Sequence, residues 1–265
     1  MGTKKDFDHG IVILGAGNVA THIALALKNN NFFVRMVYSK TAESAKILAD
    51  QIKTDFTTNI NELPLVADLY IISVSDSAIS KLIENLKVNN GIVVHTAGSI
   101  SMNLLKPYFK NFGVFYPLQT FTKSRSLDFS EIPLCIEANN TFTQNKLLSL
   151  AQSLSSRVEL INSDKRKVLH MAAVFACNFT NHMYSIGSEL LKSEKIDLDL
   201  LHPLIHETAK KAVELNPGHA QTGPAVRNDK KTIGMHLKML KKYPEFEKIY
   251  SFVSESIYKL NKKTD

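Results

Sequence analysis

The chain has 265 residues, of which 44% are hydrophobic and 22% charged, and its net charge is +7. These proportions are those of a folded globular protein, so they exclude a mostly disordered chain. Two cysteines are too few for a disulfide framework, and we expect Cys135 and Cys177 to be buried free thiols in a reducing compartment.

No apolar run approaches the roughly 18 residues that span a bilayer, and the first nine residues are charged and polar. We therefore expect a cytoplasmic protein without a membrane partner. Basic residues of the second half are spread along helix-like segments without interleaved aromatic side chains. That spread favours a solvated helix face over a nucleic-acid site.

Before residue 160, short β-branched runs alternate with helical patterns. The predicted strands are 11–14, 33–38, 69–74, 91–95 and 114–116, with 134–136 and 158–161 as late strands at an edge, open to antiparallel pairing. The predicted helices include 18–30, 42–52 and one capped by Asp76. Strands separated by helices predict βαβ units and a parallel sheet.

After residue 162 the strand pattern stops. The predicted helices run from Ser163 or Asp164 to about Lys192, from Asp197 or Asp199 to the breaker Asn216-Pro217-Gly218, over 229–242, and over 244–260. We therefore predict a doubly wound α/β domain over residues 1–161 and an all-helical substrate or dimerisation domain over residues 162–265.

A dinucleotide-binding motif directly follows the first strand. The segment Gly15-Ala16-Gly17-Asn18-Val19-Ala20 fits G-x-G-x-x-A and opens the first helix. Gly15 allows the tight turn, Gly17 lets a pyrophosphate approach the backbone, and Ala20 allows close helix–strand packing. The positive end of the helix dipole then faces the phosphates. A glycine turn without a ligand is the alternative, and the strand and helix on either side favour the Rossmann site.

The end of the second strand indicates which dinucleotide binds. An NAD site places an acidic residue there for the ribose 2′-hydroxyl. Tyr38, Ser39 and Lys40 stand there instead, with no carboxylate among residues 37–41. A hydroxyl and a cation suit a 2′-phosphate and Tyr38 suits adenine stacking, so NADP is favoured, although an exposed loop lysine is also common.

Two further loops follow strands where the nicotinamide half is expected, because ligands of open α/β sheets bind beyond the carboxyl ends of the strands. One contains Val74, Ser75 and Asp76; the other contains His95, Thr96, Gly98 and Ser99. Small residues there leave room for a flat ring, and His95 or Ser99 can bond a carboxamide or substrate. A strand-end histidine bonded to backbone is an equally good interpretation of His95.

The motifs of the chain resemble those of a bacterial family that joins a Rossmann-like domain to a domain of unknown function, described as NADP oxidoreductases. The resemblance covers nearly the whole chain. It rests on the glycine motif, Ser73-Val74-Ser75-Asp76, His95-Thr96-Ala97-Gly98-Ser99, residues 115–121, residues 170–182, residues 222–229 and His236-Leu237.

The resemblance implies a helical domain similar to the C-terminal part of 6-phosphogluconate dehydrogenase. It also implies kinship with pyrroline-5-carboxylate reductase and deazaflavin-dependent NADP reductase. The β-hydroxyacid dehydrogenase branch of these enzymes has a catalytic lysine three residues before an asparagine on its first long C-terminal helix. Counting back from Asn178 or Asn181 gives Phe175 or Asn178, so that mechanism is not expected.

Candidate catalytic residues lie on the first long helix of the second half and on a later loop. His170, Asn178 and Asn181 recur at a spacing that gives one helix face, with His182 as an alternative to Asn181. A histidine can donate a proton near neutral pH and the asparagines can orient a carbonyl. Arg227 can clamp an anionic group. Polar groups at a helix or dimer interface, and an ion pair for Arg227, are the alternatives.

Two other features carry less weight. Tyr116 can be a proton donor, although an aromatic between Phe115 and Pro117 is more often core. His202 and His206 stand four apart, but without the H-E-x-x-H pattern, so no metal site is expected.

The sequence therefore predicts an NADP(H)-dependent oxidoreductase that transfers a hydride between the nicotinamide and a small-molecule substrate. The alternative is a non-enzymatic NADP-binding sensor or regulator. Apolar positions of the last helix predict a homodimer.

Overall fold

The computed structural model describes residues 7–215 and 217–262. The first six residues and Asn216, which begins the predicted breaker, lie outside the described residues. The chain forms two compact units, one ending at Cys177 and one beginning at Asn178. The boundary predicted at 161/162 stays a prediction.

The first unit is built on one eight-stranded sheet with the order β3-β2-β1-β4-β5-β6-β7-β8. Strands β1 to β6 are parallel, β7 is antiparallel to β6, and β8 is parallel to β7. The strands are β1 (Ile11–Leu14), β2 (Val34–Tyr38), β3 (Asp55–Thr57), β4 (Val66–Ile72), β5 (Asn90–His95), β6 (Asn111–Pro117), β7 (Leu134–Ala138) and β8 (Val158–Leu160).

Helices connect the strands and cover the sheet. They are α1 (Asn18–Asn29), α2 (Ala42–Ile52), α3 (Asp76–Ile83), α4 (Thr141–Leu154) and α5 (Ser163–Ala173). Four consecutive apolar residues form β1, and all four are buried, because a central parallel strand is covered on both faces. Ile11 and Ile13 pack into one apolar cluster, whereas Val12 and Leu14 pack into another. The predicted α/β class is confirmed.

Two strands, β3 and β7, differ from the prediction. The three-residue strand β3 was not predicted, because only Thr57 of its residues is buried and it lacks a hydrophobic pattern. Of the two late strands, only β8 lies at an edge, since β7 is hydrogen-bonded on both sides. The reversal of β7 against β6 agrees with the antiparallel option.

A π-helical segment, Val174–Phe179, follows α5 directly and α6 begins at Thr180. Its wider turn breaks the α-helical period, so three- and four-residue spacing does not define one face through Asn178. No residue of the segment is buried. The prediction that Cys177 is buried is therefore wrong, since its thiol lies on an exposed turn, whereas Cys135 is a buried free thiol.

The second unit is helical. It contains α6 (Thr180–Ser193), α7 (His202–Glu214), α8 (Pro217–Ala220), α9 (Lys230–Met239) and α10 (Pro244–Asn261). Asp229 caps α9, because its side chain accepts from the Thr232 N–H at 3.0 Å. Among residues 178–215 and 217–262, only Ala225 and Leu240 are buried.

Two general features concern membranes and metals. Within the described ranges, none of the helices combines the length and apolarity needed to cross a bilayer. The same ranges contain no group of three or more His, Cys, Asp or Glu side chains placed to hold a metal ion.

Candidate functional site

A cleft of about 800 Å³ opens above the carboxyl ends of the parallel strands. Its centre is the turn between β1 and α1. Gly15 has a φ of +128°, and a Cβ there would lie 2.1 Å from the Ser73 carbonyl oxygen, so only glycine fits. A Cβ at Gly17, by contrast, would meet no atom of residues 7–215 and 217–262 within 4 Å. Gly15 thus closes the turn against β4, and Gly17 leaves open space above it.

The N-terminus of α1 faces this space. Gly17 is the N-cap residue, and within the described part of the chain no side chain caps the first turn. The Asn18 side chain donates to the Phe121 carbonyl at 2.9 Å, which ties the loop after β6 to the start of α1. Uncapped N–H groups and the helix dipole make such a helix start suited to an anion.

The β2 side of the cleft is polar and cationic. Tyr38, Ser39 and Lys40 line it where β2 ends, together with Ser44 of α2. Two further lysines line the cleft, Lys81 on α3 and Lys123 on the loop after β6. Among the residues that the structure describes, Asp76 is the one carboxylate that lines the cleft. Their charged side chains therefore carry a net positive charge, which complements a phosphorylated dinucleotide.

The loops after β4 and β5 form the floor. The Thr96 hydroxyl donates to the Ser73 hydroxyl at 3.2 Å, so the two strand ends are joined. The Ser99 hydroxyl donates to the Asp76 carboxylate, which joins the second loop to the start of α3. Asp76 is the first residue of α3 rather than its cap, because Ser75 is the N-cap residue.

His95 supports the floor from beneath and is not a contact of the cleft. Its side chain is fully buried, and its Nδ1 accepts from the Ala97 N–H at 3.2 Å. Burial and then the Arg166 charge lower the pKa of His95 to about 4. The expectation that His95 contacts the cofactor is therefore not supported by its position; it stabilises the turn that presents Thr96 and Gly98.

The β6 side of the cleft contains a tyrosine–histidine pair. The Tyr116 hydroxyl lies 3.1 Å from His170 Nδ1, and both side chains line the cleft. Gly98 makes room for them, because a Cβ there would lie 2.7 Å from His170 Nδ1 and 2.9 Å from Tyr116 Cζ.

Arg166, one helical turn before His170, anchors α5 to the sheet. Its guanidinium is fully buried and donates to the Glu137 carboxylate and to the Ile100 carbonyl. Glu137 also accepts from the Ser163 N–H at 2.8 Å. The start of α5 is thereby fixed to β7 and to the loop after β5, which fixes the direction in which His170 points.

Most of the predicted cofactor residues line this one cleft. They are Gly15, Gly17, Asn18, Val19, Tyr38, Ser39, Lys40, Val74, Ser75, Asp76, Thr96 and Gly98, and the predicted catalytic His170 lines it too. Ser99 does not line it but bonds Asp76. Asn178, Asn181 and Arg227 lie in the second unit and are exposed, and their roles stay predictions.

The sequence did not predict Lys81 and Lys123 as site residues, and it favoured a core position for Tyr116 over a role as proton donor. Lys81 and Lys123 lie far from the glycine motif along the chain, and only the fold brings them to the cleft. For Lys81, a spacing of five residues from Asp76 on a helix that begins at the cleft was the available signal. Tyr116 is the last residue of the predicted strand 114–116, which follows the loop after β5. The sequence therefore already indicated that Tyr116 lies at a strand end.

The two halves of the chain match two family models. The model of a Rossmann-like domain matches residues 4–119, and that of a domain of unknown function, DUF2520, matches residues 132–257. A solved structure from Bacteroides fragilis, named a "putative NADP oxidoreductase", is 47% identical with a TM-score of 0.90, covering 94% of this chain and 97% of its own. The chain therefore belongs to the family that joins a Rossmann-like domain to DUF2520. The resemblance stated from the sequence motifs is confirmed.

More distant structures share the fold of this family. A 1-pyrroline-5-carboxylate reductase from Streptococcus pyogenes is 14% identical with a TM-score of 0.61, covering 94% of this chain and 98% of its own. An imine reductase from Myxococcus stipitatus is 14% identical with a TM-score of 0.56, covering 96% and 92%. At this identity they show the fold alone. No curated protein matches the chain.

Proposed function

We propose that this protein is an NADP(H)-dependent oxidoreductase acting on a small carbonyl or imine. The observation that carries the proposal is the cleft itself, in which an open glycine at a helix start lies beside a cationic strand end. Gly17 and the first turn of α1 are suited to the pyrophosphate, since no described atom lies within 4 Å of a Cβ at Gly17 and no described side chain caps the helix. A glycine turn that merely closed a loop would need no such space.

The choice of NADP rests on the end of β2. Ser39, Lys40 and the nearby Ser44 line the cleft where an NAD site would place a carboxylate. Hydroxyls and an ammonium group can hold a 2′-phosphate dianion, whereas a carboxylate would repel it. The name of the Bacteroides fragilis relative agrees with this choice.

The reductase chemistry is supported by the names of structures that share this fold. Two of the structures with the same fold are named a 1-pyrroline-5-carboxylate reductase and an imine reductase. NADPH, when bound, supplies a hydride to an electron-poor carbon. Thr96 and Gly98 would form the surface beneath the nicotinamide, and we propose Asn178, Asn181 and Arg227 as substrate contacts.

A panel assay tests the function. We expect NADPH absorbance at 340 nm to fall with at least one small ketone, aldehyde or cyclic imine, and NADH to serve less well. Asn178→Ala, compared with the wild type, tests the proposed substrate contact. Tight NADPH binding without turnover across the panel would contradict the enzyme proposal and favour a sensor.

We also propose that the second unit pairs with a second copy of the chain. Its described residues bury only two side chains, too few for an independent apolar core. Large apolar side chains are exposed instead, including Leu200 (73%), Val213 (88%) and Phe252 (74%). Large exposed apolar side chains are typical of interfaces, and we propose that a second copy, related by a twofold axis, covers them.

Sedimentation equilibrium tests this pairing. We expect a dimer mass for the wild type and a monomer for Phe252→Glu combined with Leu200→Glu, because charges would have to be buried in the interface. A monomeric wild type at micromolar concentration would contradict the pairing and leave the cofactor proposal untouched.

A further inference from the structure

Cofactor binding does not account for the Tyr116–His170 pair. The Tyr116 hydroxyl and His170 Nδ1 are 3.1 Å apart, and the rings meet edge to face at 74° with centroids 6.2 Å apart. Both side chains line the same cleft as the glycine turn. The pair is thus placed where it can meet a bound molecule.

The sheet order places the pair at the reactive end of the cleft. The order runs from β2, through β1 and β4, to β5 and β6. A dinucleotide with its 2′-phosphate at β2 and its pyrophosphate at β1 extends its other half toward β4 and β5. Tyr116 is the penultimate residue of β6, so it lies beyond the proposed nicotinamide end and away from Lys40.

Both members of the pair are held in place from several sides. Gly98 packs against the two side chains so closely that a Cβ would lie within 3 Å of each. Arg166 fixes α5 one turn before His170. Tyr116 is 9% exposed, and its strand is hydrogen-bonded to β7. A reacting group held this firmly needs little reorganisation.

The chemistry of the pair suits a proton donor. Burial raises the pKa of Tyr116 to about 12, so the hydroxyl keeps its proton at neutral pH. His170 is only half-buried, so its ring is accessible to solvent. Among the described residues that line the cleft, the one carboxylate, Asp76, accepts from Ser99 instead.

We infer that Tyr116 and His170 act together as the proton-donating pair of the reductase, and this inference rests on the proposed function. Reduction of a C=O or C=N group leaves an electron pair on the heteroatom. The Tyr116 O–H bond breaks and its proton forms the new O–H or N–H bond. Protonated His170 then passes its Nδ1 proton to the phenolate oxygen, and solvent restores the proton of His170.

Tyr116→Phe is the direct test, because it deletes one hydroxyl from the pair. Tyr108→Phe is the matched control, since Tyr108 is 46% exposed and does not line the cleft. The first readout is independent of turnover: the ring ¹⁵N resonances of the nine histidines, with those of His170 assigned from His170→Gln. We expect Tyr116→Phe to move the Nδ1 resonance of His170 and Tyr108→Phe to leave it in place.

The second readout is turnover of an acceptor found with the panel. We expect kcat to fall about 100-fold or more in Tyr116→Phe, while its Kd for NADPH stays within about threefold of the wild type. His170→Gln should lose activity similarly, which keeps the test open if Tyr116→Phe folds poorly. If Tyr116→Phe leaves the Nδ1 resonance of His170 unmoved, or keeps kcat within about threefold of the wild type, the proton-donating role of the pair is refuted and the proposed function is not. Absence of NADPH binding by the wild type overturns the proposed function instead.

Discussion

Substitution of the two motif glycines should separate binding from folding. In Gly17→Ala the new methyl group meets no described atom within 4 Å. We therefore expect the free energy of unfolding to change by less than about 1 kcal/mol, the difference between glycine and alanine at an N-cap. The methyl group would occupy the space assigned to the pyrophosphate. We expect NADPH affinity to fall roughly 10- to 100-fold, or about 1.4 to 2.8 kcal/mol.

Gly15→Ala should instead destabilise the fold. Its Cβ would lie 2.1 Å from the Ser73 carbonyl oxygen, at a φ of +128°. Strained backbone and a steric clash together predict a loss of about 3 kcal/mol or more in unfolding free energy. Urea unfolding and titration of NADPH fluorescence measure the two effects. Gly17→Ala with unchanged NADPH affinity would refute the placement of the pyrophosphate.

Three other perturbations test the cleft and its support. In calorimetric titrations, Lys40→Asp should weaken NADPH binding about 100-fold and reduce the preference of the protein for NADPH over NADH. The control Lys87→Asp changes an exposed lysine outside the cleft and should have neither effect. Arg166→Met should lower the urea unfolding free energy by about 3 to 5 kcal/mol, because it leaves the Glu137 carboxylate without its buried cation; adding Glu137→Gln should recover part of the loss, and no recovery would argue against the ion pair. The pKa of His95 in the folded state is about 4, below its ordinary value of 6.5, so unfolding takes up a proton between these two pH values. As the pH falls from 7 to 4, the unfolding free energy of the wild type should therefore fall by about 3 kcal/mol more than that of His95→Gln. Parallel curves of stability against pH for the two proteins would contradict the burial of His95.

The sequence was sufficient for the centre of the fold. The run Ile11–Leu14 followed by the glycine motif identifies β1, the turn and α1, because a buried strand and a phosphate-binding turn each demand particular residues. By contrast, only Thr57 of β3 is buried, so the side chains of β3 give no hydrophobic pattern that predicts a strand. Its strand conformation comes from backbone pairing with β2. The π-helical turn at Val174–Phe179 likewise has no residue signature.

The candidate site was predicted best where it is local in sequence. Gly17 and Lys40 belong to short motifs, and both line the cleft. For His95 the sequence left two interpretations open, and the structure agrees with the second, because the side chain turns back under its own loop to accept the Ala97 N–H. Strand alternation does not specify which of the two occurs. Lys123 reaches the cleft because the β6 loop is bonded to α1 through Asn18, a contact between residues 103 positions apart.

Calorimetric titration of the wild-type protein with NADPH and with NADH tests the central claim most directly. The open helix start at Gly17 and the cation at Lys40 predict saturable one-site binding of NADPH, at least about tenfold tighter than that of NADH. Binding of neither coenzyme, or tighter binding of NADH, would contradict the account.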